Sequence, residues 1–263
     1  MGIPTETDVV LFDRIDDHVA LITLNRPEKR HAVNVAVAQR LAALVKDTEH
    51  DPSIWATVIT SSGGPAFCAG ADLADVSAGR AGDLVIPGAG FAGLVDAPRR
   101  KPWIAAIRGS ALGGGLEISL ACDLRVCAED TVFGLPEVKR GLLAAAGGTY
   151  RLPRQIPRAI ALEMIATGEP ISSARAAALG FVNAVVPEPQ VIETALVLAR
   201  KICANAPLAV RESLALARVA QEMTDSALYA LTREAIGRLQ VTEDYAEGPR
   251  AFVEKRAPRW TGK

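Results

Sequence analysis

One carboxylate, Glu117, stands inside an apolar run immediately after three consecutive glycines, Gly113, Gly114 and Gly115. Three adjacent glycines carry a high conformational-entropy cost, so they indicate a place where the backbone comes close to another group. If a helix begins near Gly114, the residues one turn from Glu117 include no cation. The pattern therefore predicts a desolvated carboxyl with a raised pKa, which suits proton transfer near neutral pH. The alternative is a glutamate at an exposed helix edge.

A second small-residue segment, "AFCAGADLAD" at residues 66–75, follows an apolar β-like run and leads toward a helix, as "ALGGGLEIS" at 111–119 does. Backbone N–H groups near the start of a helix lack intrahelical acceptors. Two such groups that converge on one oxygen form an oxyanion hole, which stabilises the negative charge that develops on a carbonyl oxygen. The small side chains of both segments allow a substrate carbonyl to come that close.

Another carboxylate, Glu137, lies in "FGLPEVKRG", where Pro136 and Gly141 bracket it in a predicted loop. Its alternative interpretation is a loop glutamate paired with Lys139 or Arg140. The three histidines all fall in the first fifth of the chain, far from the glycine-rich segments. Two carboxyls and two amide donors, with no recognisable nucleophile, suit proton chemistry beside a carbonyl whose enolate is held by backbone amides.

Other classes of function have little support in the sequence. "GAGFAG" at 88–93 matches a dinucleotide-binding pattern, but Pro87 interrupts the strand that must precede it, so a glycine-rich loop near a site is the better prediction. The formal net charge of −1 favours no nucleic-acid partner, and the four cysteines form no C-x-x-C pair. No targeting pattern opens the chain and no apolar run approaches a membrane span, so we expect a cytoplasmic protein without a membrane partner.

The elements that must position these residues alternate between short strands and helices. "VVLFDRI" and "VALITLN" flank Asp16 and Asp17 as a hairpin, "VAVAQRLAALVKDTEH" has helical spacing, and "WATVITSSG", "KPWIAAIRGSAL" and "DLRVCAED" read as strands. "GGLEISLAC" reads as a short buried helix. After about Pro153 the chain consists of amphipathic helices, whose apolar faces must pack on the core or on a neighbouring subunit. The pattern predicts an α/β fold and an oligomer.

Taken together, the motifs resemble the enoyl-CoA hydratase/isomerase (crotonase) family. The resemblance extends over nearly the whole chain, and the order and spacing of the pieces are more specific than any one of them. The matching segments are "ITLNRPEKRHAVN", "AFCAGADL", "KPWIAAIRGSALGGGLEISLACDLRV", "FGLPEVKRG", "AAAGGTYRLPR" and "AFVEKRAPRW".

The resemblance implies a core of ββα units wound into a superhelix, here residues 1–200, and a helical C-terminal region, residues 201–263, that forms trimers and closes the active site. Trimers of this family often pair into hexamers. By position, the backbone amides of Ala71 and Gly114 form the oxyanion hole, and Glu117 and Glu137 are the two glutamates of the hydratases. The implied reaction is reversible syn addition of water to a trans-2-enoyl-CoA, with no cofactor because coenzyme A belongs to the substrate.

The resemblance also implies contacts with the acyl-CoA, and it leaves alternative activities open. Ala145 stands where the hydratases carry a glycine near the water, which leaves the chain-length preference and the exact reaction open. Carnitinyl-CoA dehydratase-like members also keep both glutamates and are one alternative, and Δ3-Δ2 enoyl-CoA isomerisation is another. A non-enzymatic RNA-binding member would need a lysine-rich helix, whereas the helices here mix charges. We expect the stretch around 76–98 to form a wall of the acyl pocket. The implied contact residues are Ala71, Asp72, Leu73, Ala74, Ala145, Lys29, Arg30, Phe252 and Lys255.

Overall fold

The computed structural model describes residues 9–263, which contain twelve strands and ten α-helices. The strands are β1 (Val10–Ile15), β2 (Val19–Leu24), β3 (Ala56–Ser61), β4 (Ala66–Cys68), β5 (Val85–Ile86), β6 (Gly90–Phe91), β7 (Trp103–Ile107), β8 (Ser110–Leu112), β9 (Leu124–Ala128), β10 (Val132–Gly134), β11 (Ile171–Ser172) and β12 (Ala184–Val186). The helices are α1 (Val35–His50), α2 (Leu73–Ser77), α3 (Gly114–Ala121), α4 (Gly148–Gln155), α5 (Arg158–Thr167), α6 (Ser173–Ala178), α7 (Val191–Cys203), α8 (Pro207–Val219), α9 (Asp225–Gln240) and α10 (Glu243–Val253). Residues 1–8, where the sequence predicts no targeting segment, lie outside this description.

Two larger sheets organise the core. The six-stranded sheet has the order β1-β2-β3-β7-β9-β12, in which β1 and β2 form the predicted antiparallel hairpin and the remaining neighbours are parallel. The four-stranded sheet has the order β11-β10-β8-β4, and β8 runs parallel to both of its neighbours. Parallel neighbours present their carboxyl ends at the same edge of a sheet, which is where ligands bind in α/β proteins.

The inner strands β3 and β7 of the six-stranded sheet are buried along their whole length. Because consecutive residues of a strand point to opposite sides, both faces of the sheet are covered there. Val58 and Ile104 pack toward α7 with Val126, whereas Ile59 and Ala105 belong to the larger apolar cluster on the other face. That cluster includes α1, whose first turn is capped because the Asn34 side chain accepts a hydrogen bond from the Val37 N–H at 2.9 Å. The predicted hairpin and α1 are confirmed.

The helices after α7 bury little of their own surface in a single chain. In α8 only Pro207 and Glu212 are buried, and α9 buries only Ala235. Tyr229, Val241, Phe252 and Val253 all carry exposed apolar side chains. These helices therefore expose apolar surface in the single chain. The oligomer and the division at residue 200 stay predictions. Within the described part of the chain, none of the helices combines the length and the apolar character that crossing a membrane requires.

Candidate active site

Strands β4 and β8 end side by side, and this brings the two glycine-containing segments together. Cys68 pairs with Ala111, and the chain then leaves β4 toward Ala71 and leaves β8 toward α3. A Cβ atom on Gly70 would lie 2.8 Å from the Gly114 nitrogen, so the two segments are in direct contact. Among residues 9–263, neither the Ala71 N–H nor the Gly114 N–H donates to a protein acceptor. Both amides remain available for a ligand oxygen.

Each glycine of the triplet is explained by a different constraint. Gly113 has a φ of 56°, a conformation that favours glycine. A Cβ on Gly114 would lie 2.5 Å from a ring carbon of Phe91, and one on Gly115 would lie 2.0 Å from the carbonyl oxygen of Cys68. The close approach predicted from the sequence therefore includes the protein's own β4 strand, against which α3 begins.

Glu117 lies on α3 and is only 3% exposed. Its Oε1 atom accepts a hydrogen bond from the Gly148 N–H at 2.9 Å. Burial raises the pKa of Glu117 to about 7 and the charge of Glu137 adds to the rise, whereas the amides of Gly148 and Ala146 oppose it. The predicted raised pKa is confirmed, and the exposed-edge interpretation is wrong.

Glu137 lies on a 3-10 turn, Pro136–Arg140, rather than in an irregular loop. Its Oε1 atom would lie 3.2 Å from a Cβ on Gly113, and its buried Oε2 atom has no hydrogen-bond partner within residues 9–263. Burial raises the pKa of Glu137, and Arg140 opposes this rise. Lys139 instead pairs with Glu169 at 2.6 Å. A carboxyl oxygen without a protein partner is free to bind a water molecule or a substrate atom.

A cavity of about 680 Å³ joins the two carboxyls to the two amides. Val76, Leu84, Val85 and Phe91 line it, which confirms that part of the 76–98 stretch forms a wall. "GAGFAG" is not part of a βαβ unit, as predicted, and it lies near the site. It forms the turn and second strand of the β5–β6 hairpin rather than a loop without strands. The other predicted site residues on the cavity wall are Lys29, Arg30, Ala71, Asp72, Leu73, Gly114, Glu117, Glu137 and Ala145.

Three of the predicted contact residues lie away from this cavity in the single chain. Ala74 is on α2 next to the lining residues, but it does not itself line the wall. Phe252 and Lys255 lie at the end of α10 or just beyond it, and the Phe252 side chain is 85% exposed. The structure of one chain therefore does not bring these two residues to the carboxyls.

Two arginines that the sequence interpretation missed hold the walls in place. Arg26 donates to Asp72 at 3.0 Å, and Asp72 also caps α2 by accepting from the Ala74 N–H. Arg151 donates to the Ala146 carbonyl at 3.0 Å and to the Asp96 carboxylate at 2.8 Å. Arg151 thus connects the segment 146–148, whose backbone amides contact Glu117, to the wall that carries Asp96. The only sequence signal for it is its position in the first turn of a helix after Gly147 and Gly148.

Comparisons with known proteins decide the family. The model described as enoyl-CoA hydratase/isomerase matches residues 14–263. The chain belongs to the enoyl-CoA hydratase/isomerase family. An enoyl-CoA hydratase from Mycobacterium tuberculosis has a crystal structure that superposes with a TM-score of 0.92 and 40% identity, covering 97% of this chain and 99% of that one. The α/β fold with C-terminal helices implied by the resemblance is therefore confirmed.

The names of relatives in this family refer to different substrates. A carnitinyl-CoA dehydratase of Proteus mirabilis is 37% identical over 247 residues, which cover 92% of this chain and 94% of that protein. A mevalonyl-coenzyme A hydratase of Aspergillus fumigatus is 39% identical over 249 residues, covering 92% and 91%. These relatives are hydro-lyases, and this chain is an enzyme of the same kind. Their names leave the acyl group of this enzyme open.

Proposed function

We propose that this enzyme hydrates trans-2-enoyl-CoA thioesters to 3-hydroxyacyl-CoA. The observation that carries the proposal is the meeting of two carboxyls of raised pKa with two unengaged backbone amides around one cavity. The amides of Ala71 and Gly114 suit a thioester oxygen that gains negative charge. The two carboxyls suit proton transfer near neutral pH, because their raised pKa values lie closer to it.

In the proposed reaction, Glu117 and Glu137 orient one water molecule beside the double bond. Ionised Glu117 takes a proton from the water as the water oxygen bonds to C3, and the electron pair of the double bond moves toward the thioester carbonyl. The Ala71 and Gly114 amides hold the resulting enolate oxygen. Protonated Glu137 then delivers a proton to C2 on the same face. Transfer of a proton from Glu117 to Glu137 then restores both carboxyls. The sum is addition of one water molecule, and each step runs in reverse for dehydration.

The remaining contacts of the proposal concern the coenzyme A part of the substrate. Asp72, Leu73, Ala74 and Ala145 would line the acyl-CoA path, and Lys29 and Arg30 would meet its phosphates. Phe252 and Lys255 would approach the nucleotide from a neighbouring subunit of a trimer or of a hexamer, which agrees with their exposure in the single chain. We further propose a cytoplasmic role in fatty-acid metabolism without a separate cofactor.

Crotonyl-CoA hydration in glutamine variants tests this function. Glu117→Gln and Glu137→Gln should each lower kcat at least about 1,000-fold, because each keeps the shape and removes a proton-transfer group. Binding of a saturated acyl-CoA should survive in both variants. The control is Glu169→Gln, which removes an exposed carboxylate outside the cavity. Full activity in either active-site variant would contradict the assignment.

A carnitinyl-CoA dehydratase-like activity is the second candidate, favoured by the name of the Proteus mirabilis relative. It uses the same two carboxyls, so the acyl group alone separates the two functions. Steady-state rates on a series of 2-enoyl-CoA chain lengths, with crotonobetainyl-CoA included, decide between them. Conversion of a 3-enoyl-CoA without hydration of crotonyl-CoA would instead indicate an isomerase.

A further inference from the structure

The carboxylates on the cavity wall are balanced or have raised pKa values. Asp72 pairs with Arg26 at 3.0 Å, and Asp96 pairs with Arg151 at 2.8 Å. Burial raises the pKa values of Glu117 and Glu137, which favours their neutral forms. The wall therefore offers little unbalanced negative charge to a substrate.

The cations that line the same cavity are not paired with carboxylates in this way. Lys29, Arg30 and Arg140 all line the cavity, and none of them forms an ion pair with a carboxylate of residues 9–263. Within residues 9–263, the Arg140 guanidinium donates one hydrogen bond, from Nη1 to the Pro136 carbonyl at 3.4 Å. The preceding residue, Lys139, is paired with Glu169 and lies outside the cavity wall. Arg140 is thus a cation with donors left for a ligand.

The three cations lie on two different walls of the cavity. The Arg30 carbonyl accepts from the Ala69 N–H at 3.0 Å, which places Lys29 and Arg30 beside the segment that carries the Ala71 amide. Arg140 lies on the turn that carries Glu137, close enough for its charge to act on that carboxyl. In the proposed reaction Glu137 faces C2 of the acyl group. Lys29 and Arg30 would be used by the coenzyme A phosphates, so Arg140 is left for the acyl chain.

We propose that Arg140 selects 2-enoyl-CoA substrates whose acyl chain carries a carboxylate beyond C3. This inference rests on the proposed hydratase function and names its substrate class, the thioesters of unsaturated dicarboxylic acids. A guanidinium presents parallel donors that match a carboxylate in a bidentate pair. Exposed apolar side chains of Leu142 and Leu143 line the same cavity and suit the methylene groups before that carboxylate. A quaternary ammonium at the same place would be repelled.

Three thioesters that differ at C4 test the inference. Glutaconyl-CoA carries a carboxylate there, crotonobetainyl-CoA a trimethylammonium group, and trans-2-hexenoyl-CoA a neutral chain. We expect kcat/KM to be at least about tenfold higher for glutaconyl-CoA than for hexenoyl-CoA, and lowest for crotonobetainyl-CoA. Arg140→Gln should bring the three values within about threefold of one another, and Arg140→Lys should retain part of the preference. The matched control, Lys139→Gln, should leave the ratios unchanged.

The outcomes separate this inference from the function on which it rests. Failure of the unmodified enzyme to hydrate any of the three thioesters or crotonyl-CoA would overturn the hydratase function. Hydration of crotonyl-CoA without a preference for glutaconyl-CoA would overturn the role of Arg140 alone. An equal loss on all three substrates in Arg140→Gln would do the same, because it would assign Arg140 to coenzyme A. A normal melting temperature of Arg140→Gln serves as the folding check.

Discussion

Replacing Glu117 by glutamine should stabilise the folded enzyme at alkaline pH even though it removes a carboxyl that the proposed reaction uses. Burial moves the pKa of this carboxyl from 4.5 to about 7. Between those values the folded chain holds a proton that the unfolded chain has released, so stability falls as pH rises through this window. Above it, the ionised carboxylate costs the folded state about 3 kcal/mol. Glutamine cannot ionise, and its carbonyl still accepts from the Gly148 N–H.

The measurement is urea unfolding of the wild type and of Glu117→Gln at pH 5, 6, 7 and 8, at one protein concentration and followed by tryptophan fluorescence. The advantage of the variant should grow with pH and be about 2.5 kcal/mol larger at pH 8 than at pH 5. The control is Glu169→Gln, whose partly exposed ion pair predicts a difference below about 1 kcal/mol at every pH. A difference between wild type and Glu117→Gln that stays constant with pH would refute the reasoning from burial.

Three further substitutions test how the site is held. Gly115→Ala should lower the free energy of unfolding by at least about 3 kcal/mol in a urea titration, because the new Cβ would lie 2.0 Å from a backbone oxygen. The control Gly237→Ala has open space on α9 and should raise the free energy of unfolding by up to about 1 kcal/mol. Arg151→Met should lower kcat about tenfold and move the acid limb of the pH–rate profile to higher pH, because the Arg151 charge lowers the pKa of Glu117. An unchanged pH–rate profile would contradict this role of Arg151. Arg218→Met should lower the free energy of unfolding by about 2 kcal/mol in the same urea titration. It removes two hydrogen bonds to Asp123 that connect α8 to the core. A loss of unfolding free energy smaller than that caused by replacing an exposed arginine would contradict this.

Features fixed by neighbouring residues in the chain were predictable from the sequence. The β1–β2 hairpin turns at Asp16, whose φ of 59° an aspartate tolerates, and α1 begins after the Asn34 cap. The start of α3 at Gly114 also follows from the local pattern. The raised pKa of Glu117 was also predictable from the sequence, because an apolar helix face without a cation is a local property.

Features that depend on distant contacts were not predictable in this way. Arg151 contacts Asp96, which lies 55 positions earlier, and no local pattern marks such a pair. Strands β4 and β8 contain three residues each, too few to show alternation. The steric need for Gly115 is visible only once Cys68 is placed beside it. The predicted roles of Phe252 and Lys255 depend on a second chain.

The two halves of the candidate site are held by different means, and this has a consequence for specificity. The Ala71 and Gly114 amides are placed by backbone pairing of β4 with β8, so a change of side chain on the cavity wall leaves them in position. The carboxyls and Arg140 stand on separate segments, α3 and the Pro136–Arg140 turn, where a single substitution alters one group at a time. Relatives at 37–39% identity can therefore share this backbone arrangement and differ in the acyl group they are named for. If Arg140 selects a carboxylate, one residue on a 3-10 turn sets the acyl preference of this enzyme, while the Ala71 and Gly114 amides keep their positions.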